Sequence, residues 1–119
     1  MRKPGNAPRM EPVRSEHLWE SRLLNGMSPV ERARLGPHLE PITVESRQSL
    51  ARTGEPLTHL FFPTDAVTST LTMLPEGETV EVGLMGAEGV VGLPVLYGDR
   101  ISLNDVIVQI PGHAVRIAV

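Results

Sequence analysis

The chain has 119 residues, of which 40% are hydrophobic and 21% charged, a balance that is ordinary for one small globular domain. Its net charge of -3 argues against a domain that binds nucleic acid by itself, because such binding depends on basic side chains that neutralise phosphates. The absence of cysteine excludes disulfides and thiolate metal sites, and no apolar run reaches the roughly 18 residues of a membrane helix.

The first forty residues predict a tail and two helices. Residues 1–14 are rich in proline and are expected to be a disordered tail, while residues 15–119 form the domain. No apolar stretch follows the basic start, so we expect no signal peptide and a cytoplasmic location. Ser15 can cap a first helix that ends at Gly26, and Ser28 with Glu31 matches a capping box that starts a second helix. Both helices are expected to lie against a sheet.

Six segments after Pro41 carry β-branched or aromatic residues and are separated by turn residues. They are Ile42–Glu45, Leu57–Phe62, Val67–Met73, Thr79–Leu84, Val106–Ile110 and Ala114–Val119. Strands this short, with no crossover helices between them, predict a mainly β protein with N-terminal helices, built as an antiparallel sandwich or roll. Four large side chains are expected in its core or at a dimer surface: Phe61, Phe62, Met73 and Met85.

Glycine recurs every third residue at positions 83, 86, 89 and 92. Because glycine reaches positive φ without a Cβ clash, this spacing predicts that the chain turns sharply and repeatedly between short β segments. We expect a ligand to bind at this corner of the fold.

The last strand, from His113 to Val119, keeps full β propensity to the terminal residue. It is expected to be a free edge, and such an edge pairs with another chain unless something covers it. From this we expect a truncated chain, a fold that is incomplete at the C-terminus and a covering element that normally follows.

Six short motifs occur in a fixed order along residues 18–119. They are Ser28-Pro-Val-Glu-Arg, Gly54-Glu-Pro, Leu60-Phe-Phe-Pro, Glu78-Thr-Val-Glu-Val-Gly, Gly86-Ala-Glu-Gly-Val-Val-Gly and Val108-Gln-Ile-Pro-Gly-His-Ala. In this order they resemble the effector domain of bacterial Crp/Fnr-type transcription regulators, a cyclic-nucleotide-binding-like β-roll of jelly-roll, cupin-like architecture. The resemblance implies a homodimer in the full-length form and DNA binding only through a C-terminal helix-turn-helix domain that this chain lacks. We expect no cofactor and no membrane partner.

In cyclic-nucleotide-binding members of the family, a glycine corner precedes a short helix whose amides bind the cyclic phosphate together with an Arg-Ser pair. A glutamate just after the glycine binds the ribose. By this resemblance Gly92 stands at the corner, and Pro94 and Gly98 suit the start and the end of a short helix from Leu93 to Tyr97. Leu93 occupies the place of the ribose glutamate, and its side chain cannot accept a hydrogen bond.

The arginine-serine pair is also missing. Near its expected place stand Leu103, Asn104 and Asp105, while Arg100 and Ser102 lie slightly earlier. Arg100 is the best remaining partner for an anion, although a solvated loop arginine beside Asp99 is the more ordinary interpretation. We therefore expect no tight binding of cAMP or cGMP, and an unknown small-molecule or anionic effector instead. The predicted ligand-binding residues are Gly89, Gly92, Leu93, Arg100, Ser102 and Asn104.

Two other classes of function stay open. A cupin-like enzyme would need a metal held by a His-x-His pair, but the four histidines, His17, His38, His59 and His113, are scattered singly. We therefore expect neither a metal site nor catalysis. A pure dimerisation or interaction module is the other alternative, because the last strand is expected to be exposed and only 3% of the residues are aromatic.

Overall fold

Two four-stranded antiparallel sheets make up the fold. The computed structural model describes residues 11–12, 19–98 and 100–119, with the side chains of residues 11, 12 and 96 left aside. The first sheet has the order β1-β2-β8-β4 and the second sheet has the order β3-β7-β5-β6. Their strands are β1 (Glu11–Pro12), β2 (Glu40–Val44), β3 (Ser49–Ala51), β4 (His59–Pro63), β5 (Val67–Met73), β6 (Thr79–Met85), β7 (Asp105–Ile110) and β8 (Gly112–Ala118). The predicted mainly antiparallel β class is confirmed.

The main core lies between the two sheets. Ile42 and Ala114 from the first sheet join Val106 and Val108 from the second sheet in one buried cluster. Ile42 and Val108 are both 0% exposed. Their alternation with less buried neighbours along β2 and β7 is the two-residue period of strands that direct one face inward.

The helices cover the outer face of the first sheet, as predicted. Helix α1 (Arg22–Asn25) and helix α2 (Pro29–Leu35) are followed by a 3₁₀ helix (Gly36–His38). Leu24 and Leu39 form a second core cluster with Val115 of β8. Ser28 and Glu31 form the predicted capping box, with Ser28 N donating to Glu31 Oε1 at 2.8 Å and Glu31 N donating to Ser28 Oγ at 3.2 Å. None of the helices among the described residues is long and apolar enough to cross a bilayer.

The N-terminal predictions need two corrections. Helix α1 is capped by Ser21, whose Oγ accepts a hydrogen bond from Leu24 N, whereas Ser15 lies outside the described residues. Within the predicted disordered tail, Glu11 and Pro12 pair with Thr43 and Ile42 of β2, and the rest of the tail lies outside the described residues. The open edge of β2 supplies main-chain partners for this short strand, and proline is tolerated at such an edge.

The expected free edge at the last strand is wrong, because β8 lies inside the first sheet. On one side Ala114 is paired with Ile42 of β2, and on the other Val115 is paired with Phe62 of β4. The consecutive residues Ala114 and Val115 are both buried, which is typical of a strand covered on both faces. An apolar run at the end of a sequence does not distinguish a central strand from an edge strand. Because β8 is not an exposed edge, it gives no support to the expected incomplete fold.

The glycine series does not repeat one backbone conformation. Gly83 lies within β6, opposite Thr70, where the register between β5 and β6 shifts. Gly86 and Gly89 close one turn through a hydrogen bond from Gly89 N to Gly86 O at 3.2 Å. Only Gly92 of the four adopts a positive φ, at 103°. The prediction of repeated sharp turns is thus wrong at Gly83, where a strand irregularity accounts for the glycine instead.

Candidate functional site

A short helix follows the glycine corner with the predicted bounds. It is a 3₁₀ helix, Leu93–Tyr97, which we call the corner helix. Gly92 precedes it with φ 103° and Gly98 ends it with φ 85°, so both flanking residues occupy the left-handed region that favours glycine. The two glycines and Pro94 fix where this helix begins and ends.

The corner is held against the edge of the first sheet. Val91 forms an isolated bridge with Phe61 of β4, in which Phe61 N donates to Val91 O at 3.0 Å and Val91 N donates to Phe61 O at 2.7 Å. A Cβ on Gly92 would lie 2.8 Å from Leu60 Cδ2 and 3.3 Å from His59 O. Glycine is required here both for its φ and for this close approach to β4.

A second isolated bridge, between Pro56 and Ile101, joins the segment after the corner helix to the loop between β3 and β4. Around it Leu57 N donates to Arg100 O at 2.6 Å, and Ser102 N donates to Glu55 O at 3.0 Å. The backbone of residues 100–102 is therefore positioned by main-chain hydrogen bonds on one side of the corner.

A cavity of about 140 Å³ lies between the second sheet and the corner. Each strand of the second sheet contributes one side chain to its wall, and these are Ala51, Thr70, Met85 and Val106. The facing wall consists of Leu57, residues 90–94 and residues 102–104. Leu93 and Leu103, which are 44% and 65% exposed, lie at the mouth of the cavity.

Four of the six predicted ligand-binding residues line this cavity, namely Gly92, Leu93, Ser102 and Asn104. Gly89 is not among the lining residues and lies in the preceding turn. Arg100 is also outside the wall, with an exposed side chain. The structure thus brings together the corner and the 102–104 segment, which are about ten residues apart in sequence.

Thr70 and Met85 are part of the cavity wall but were not predicted to bind a ligand. Met85 was expected in the core or at a dimer surface, and Thr70 was not singled out at all. Their neighbourhood arises from strand register, because Thr70 is paired with Val106 in β7 and Thr68 with Met85 in β6. The sequence signal for Thr70 is its position on a predicted strand. That position alone does not place its side chain at the cavity, because the pairing of β5 with β7 is also needed.

Two polar side chains near the cavity, Ser102 and Asp105, form hydrogen bonds within the protein. Ser102 Oγ donates to Asn104 O at 2.7 Å, which closes the 102–104 turn. The carboxylate of Asp105 accepts hydrogen bonds from Thr53 N at 2.7 Å and from Thr53 Oγ1 at 2.9 Å. Asp105 is not a lining residue, so its charge is directed to Thr53 rather than into the cavity.

The turn before the corner contacts helix α1. Ala87 O accepts a hydrogen bond from Arg22 N at 2.7 Å. The N–H groups of Gly86 and of Glu88 itself lower the pKa of the Glu88 carboxyl, and they outweigh desolvation; the Arg22 charge lowers it further. Glu88 is therefore a turn carboxylate whose Oε1 lies 3.1 Å from Gly86 N.

The histidines that the structure describes lie in separate environments. His59 Nδ1 is 3.0 Å from Thr58 Oγ1 on β4, and His113 Nδ1 is 2.9 Å from Asp65 Oδ2 on the connection that precedes β5. Across residues 11–12, 19–98 and 100–119, no three His, Asp or Glu side chains come together as a metal site would require.

No protein-family model matches the chain, and no curated protein matches its sequence. Solved structures do match it. A cyclic nucleotide-binding domain from Methylobacillus flagellatus superposes with a TM-score of 0.75 at 12% identity, covering 92% of this chain and 66% of that one. The fold is that of cyclic-nucleotide-binding domains.

Two further structures share this fold. The sensor domain of the transcriptional regulator DNR from Pseudomonas aeruginosa has a TM-score of 0.69 at 14% identity over 87% of this chain and 70% of that one. The regulatory subunit of a cAMP-independent protein kinase A from Trypanosoma brucei, a mutant bound to cAMP in its A site, has a TM-score of 0.75 at 17% identity and 87% coverage. This chain spans 38% of the length of that subunit.

Proposed function

We propose that this chain is the effector-sensing domain of a bacterial Crp/Fnr-type transcription regulator, that it is not an enzyme and that it works in the cytoplasm. The observation that carries the proposal is the cavity between the second sheet and the corner helix, lined by residues from both. Ligand sites are typically concave, mostly apolar and supplied with a few polar groups. The sensor-domain fold of the Pseudomonas regulator supports the same class of function.

The effector we propose is neither cAMP nor cGMP. Leu93 lies at the mouth of the cavity, at the position that the family resemblance assigns to a ribose-binding glutamate. The 102–104 segment presents Ser102, Leu103 and Asn104, none of which supplies the positive charge that a cyclic phosphate requires. A ribose and a phosphate would each enter this cavity without their usual partners.

Signalling would follow from a shift in population. An effector that contacts both the second sheet and the corner helix favours the conformation in which those two walls are correctly spaced. The corner turn is hydrogen-bonded to helix α1 through Arg22 N and Ala87 O, so a displacement of the corner also displaces the N-terminal helices. In the full-length regulator we propose that such movement reorients the DNA-binding domains of a homodimer.

A thermal-shift assay tests the proposal. The chain is heated with a panel of small molecules that includes cAMP and cGMP, because a ligand that binds only the folded state raises the melting temperature. We expect at least one compound outside the cyclic nucleotides to raise it in a saturable manner. If no compound raises it, a scaffold or interaction module is favoured over a sensor.

A gel shift tests the proposal that DNA binding belongs to another domain of the full-length regulator. The chain is mixed with labelled DNA from upstream of its own gene and an excess of unrelated competitor DNA. We expect no specific band, because the net charge is -3 and the recognition helices would belong to another domain. A band that resists the competitor DNA would contradict the proposal that specific DNA binding belongs to another domain. Nucleotide sequence downstream of Val119 that encodes a helix-turn-helix would support it.

A further inference from the structure

Among the residues that the structure describes, none that lines the cavity carries a charged side chain. The members of this wall are apolar apart from Thr70, Ser102 and Asn104. Two charged groups beside the 102–104 segment lie outside the wall: the Arg100 side chain is exposed, and Asp105 accepts hydrogen bonds from Thr53. An ion in this cavity would lose its hydration without gaining an opposite charge, which is strongly unfavourable.

The start of the corner helix offers few donors to an anion. Pro94 has no N–H, and Val95 N donates to Gly92 O at 3.0 Å. Ser102 Oγ uses its proton in the hydrogen bond to Asn104 O. Among the side chains of the wall, hydrogen-bonding capacity towards a ligand rests on the Thr70 hydroxyl and the Asn104 side-chain amide, which make no hydrogen bond to any other described residue. Both groups are neutral.

The size of the cavity limits the ligand further. Its volume of about 140 Å³ is close to that of an engineered apolar cavity, about 150 Å³, that binds benzene. Pockets for drug-sized ligands start at about 300 Å³. The cavity therefore fits a single ring or a short alkyl chain, with extension only through the mouth between Leu93 and Leu103.

From the absence of charge, the small volume and the two neutral polar side chains, we propose that the cavity binds a small uncharged, largely apolar molecule that carries one hydrogen-bonding group. This proposal rests on the proposed sensing function and specifies the ligand class of the same cavity. The apolar part of the ligand packs against Leu57, Met85 and Val106, and its polar group reaches Thr70 or Asn104.

Two pairs of probes that differ mainly in charge test the ligand class. They are benzamide with benzoate and hexanamide with hexanoate, each titrated at neutral pH into the isotope-labelled chain while backbone amide NMR signals are recorded. Dissociation constants in the millimolar range are expected for molecules this small. We expect both amides to shift the signals of cavity-lining residues in a saturable manner, with at least tenfold tighter binding than the matching carboxylates.

A gain of anion binding sharpens the test. Leu93→Arg places a cation at the mouth, at a side chain that is already 44% exposed, so we expect benzoate to bind at least fivefold more tightly. Leu103→Arg, at the same mouth, is a second variant with the same expectation. Leu84→Arg on β6 is the matched control, since Leu84 is 58% exposed and outside the cavity, and it should leave all four dissociation constants unchanged.

The possible failures are distinguishable. Equal or tighter binding of the carboxylates by the unmodified chain would overturn the uncharged ligand class and leave the sensing function standing. Unchanged benzoate binding in both mouth variants, each with a well-dispersed spectrum, would also overturn it. If neither member of either pair shifts the cavity-lining signals, both the ligand class and the cavity as a sensing site are contradicted.

Discussion

The two sheets differ in what their side chains pack against. The first sheet is covered on both faces, by the main core and by the helices, and none of its described side chains lines the cavity. All four strands of the second sheet contribute to the cavity, and β6 at its edge is exposed over most of its length. Similar β-branched sequences thus pack between the core and the helices in one sheet and form the wall of a cavity in the other.

The largest effect is expected where the corner meets the first sheet. Gly92→Ala forces a side chain into a φ of 103° and places its Cβ 2.8 Å from Leu60 Cδ2. We expect the free energy of unfolding to fall by about 2–3 kcal/mol. Gly54→Ala is the matched control, because Gly54 has φ 81° but open space around its Cβ, so only the backbone strain of about 1 kcal/mol applies. Urea denaturation measures the free energy of unfolding of both variants. Equal losses in the two variants would show that contact with β4 does not constrain the corner.

The same substitution in each sheet tests the packing difference. Val115→Ala removes two methyl groups from a side chain that is 0% exposed between the first sheet and the helices. We expect a loss of about 2 kcal/mol, since each buried methylene-sized group contributes about 0.8 kcal/mol and a cavity remains. Val82→Ala on β6, where the side chain is 58% exposed, should change stability by less than about 0.5 kcal/mol. Similar losses of stability at both positions would contradict the inference that Val115 packs in a core and Val82 does not.

A smaller effect is expected at the helix that covers the first sheet. Ser28→Ala removes the hydroxyl that accepts the hydrogen bond from Glu31 N, and with it half of the capping box. The expected loss is about 1 kcal/mol in urea denaturation. Ser46→Ala, in the exposed turn after β2, is the control and should be close to neutral. A neutral Ser28→Ala would mean that the contacts of Leu35 with the second core cluster and of Arg32 with Asn25 hold helix α2 in place without the cap.

The smallest effect concerns the connection between β4 and β5. Burial raises the pKa of the Asp65 carboxyl, but hydrogen bonds from the side chain and backbone N–H of His113, together with its charge, lower it more, so that the pKa lies below 3.8. A carboxyl whose pKa is lowered by folding stabilises the folded state above its unfolded pKa, and this contribution is lost as the pH falls through the folded pKa.

The wild type should therefore exceed Asp65→Asn in stability by less than about 1 kcal/mol at about pH 6, because this pair is partly exposed, and the difference should shrink towards about pH 3. Thermal denaturation at both pH values measures this difference in stability, and Glu76→Gln is the control for loss of one surface charge. If the difference in stability between the wild type and Asp65→Asn grows as the pH falls, then folding does not lower the pKa of the Asp65 carboxyl.

Features encoded by local signals were predictable from the sequence. The corner helix has the predicted bounds because Gly92, Pro94 and Gly98 each impose a backbone conformation, and the capping box at Ser28 is equally local. Strand β3 was missed because Ser49–Ala51 contains no β-branched residue, and it exists as a strand through pairing with β7. Local signals thus placed elements whose bounds depend on single residues.

Features that depend on pairing were not predictable. The position of β8 between β2 and β4 is set by partners more than fifty residues away in sequence, so its burial could not be inferred from its own residues. The same holds for the cavity, where the corner was found from its glycines but Thr70 and Met85 join it through strand register. The glycine corner of the candidate site therefore follows from turn chemistry, whereas the side of the site formed by the second sheet depends on tertiary pairing.

Isothermal titration of the chain with cAMP and with cGMP tests the central claim most directly, namely that the cavity beside Gly92 is a sensing site that has lost the means to bind a cyclic nucleotide. Leu93 at the mouth and the uncharged wall predict no saturable heat for either nucleotide. A saturable isotherm with a dissociation constant in the micromolar range or below would contradict the claim.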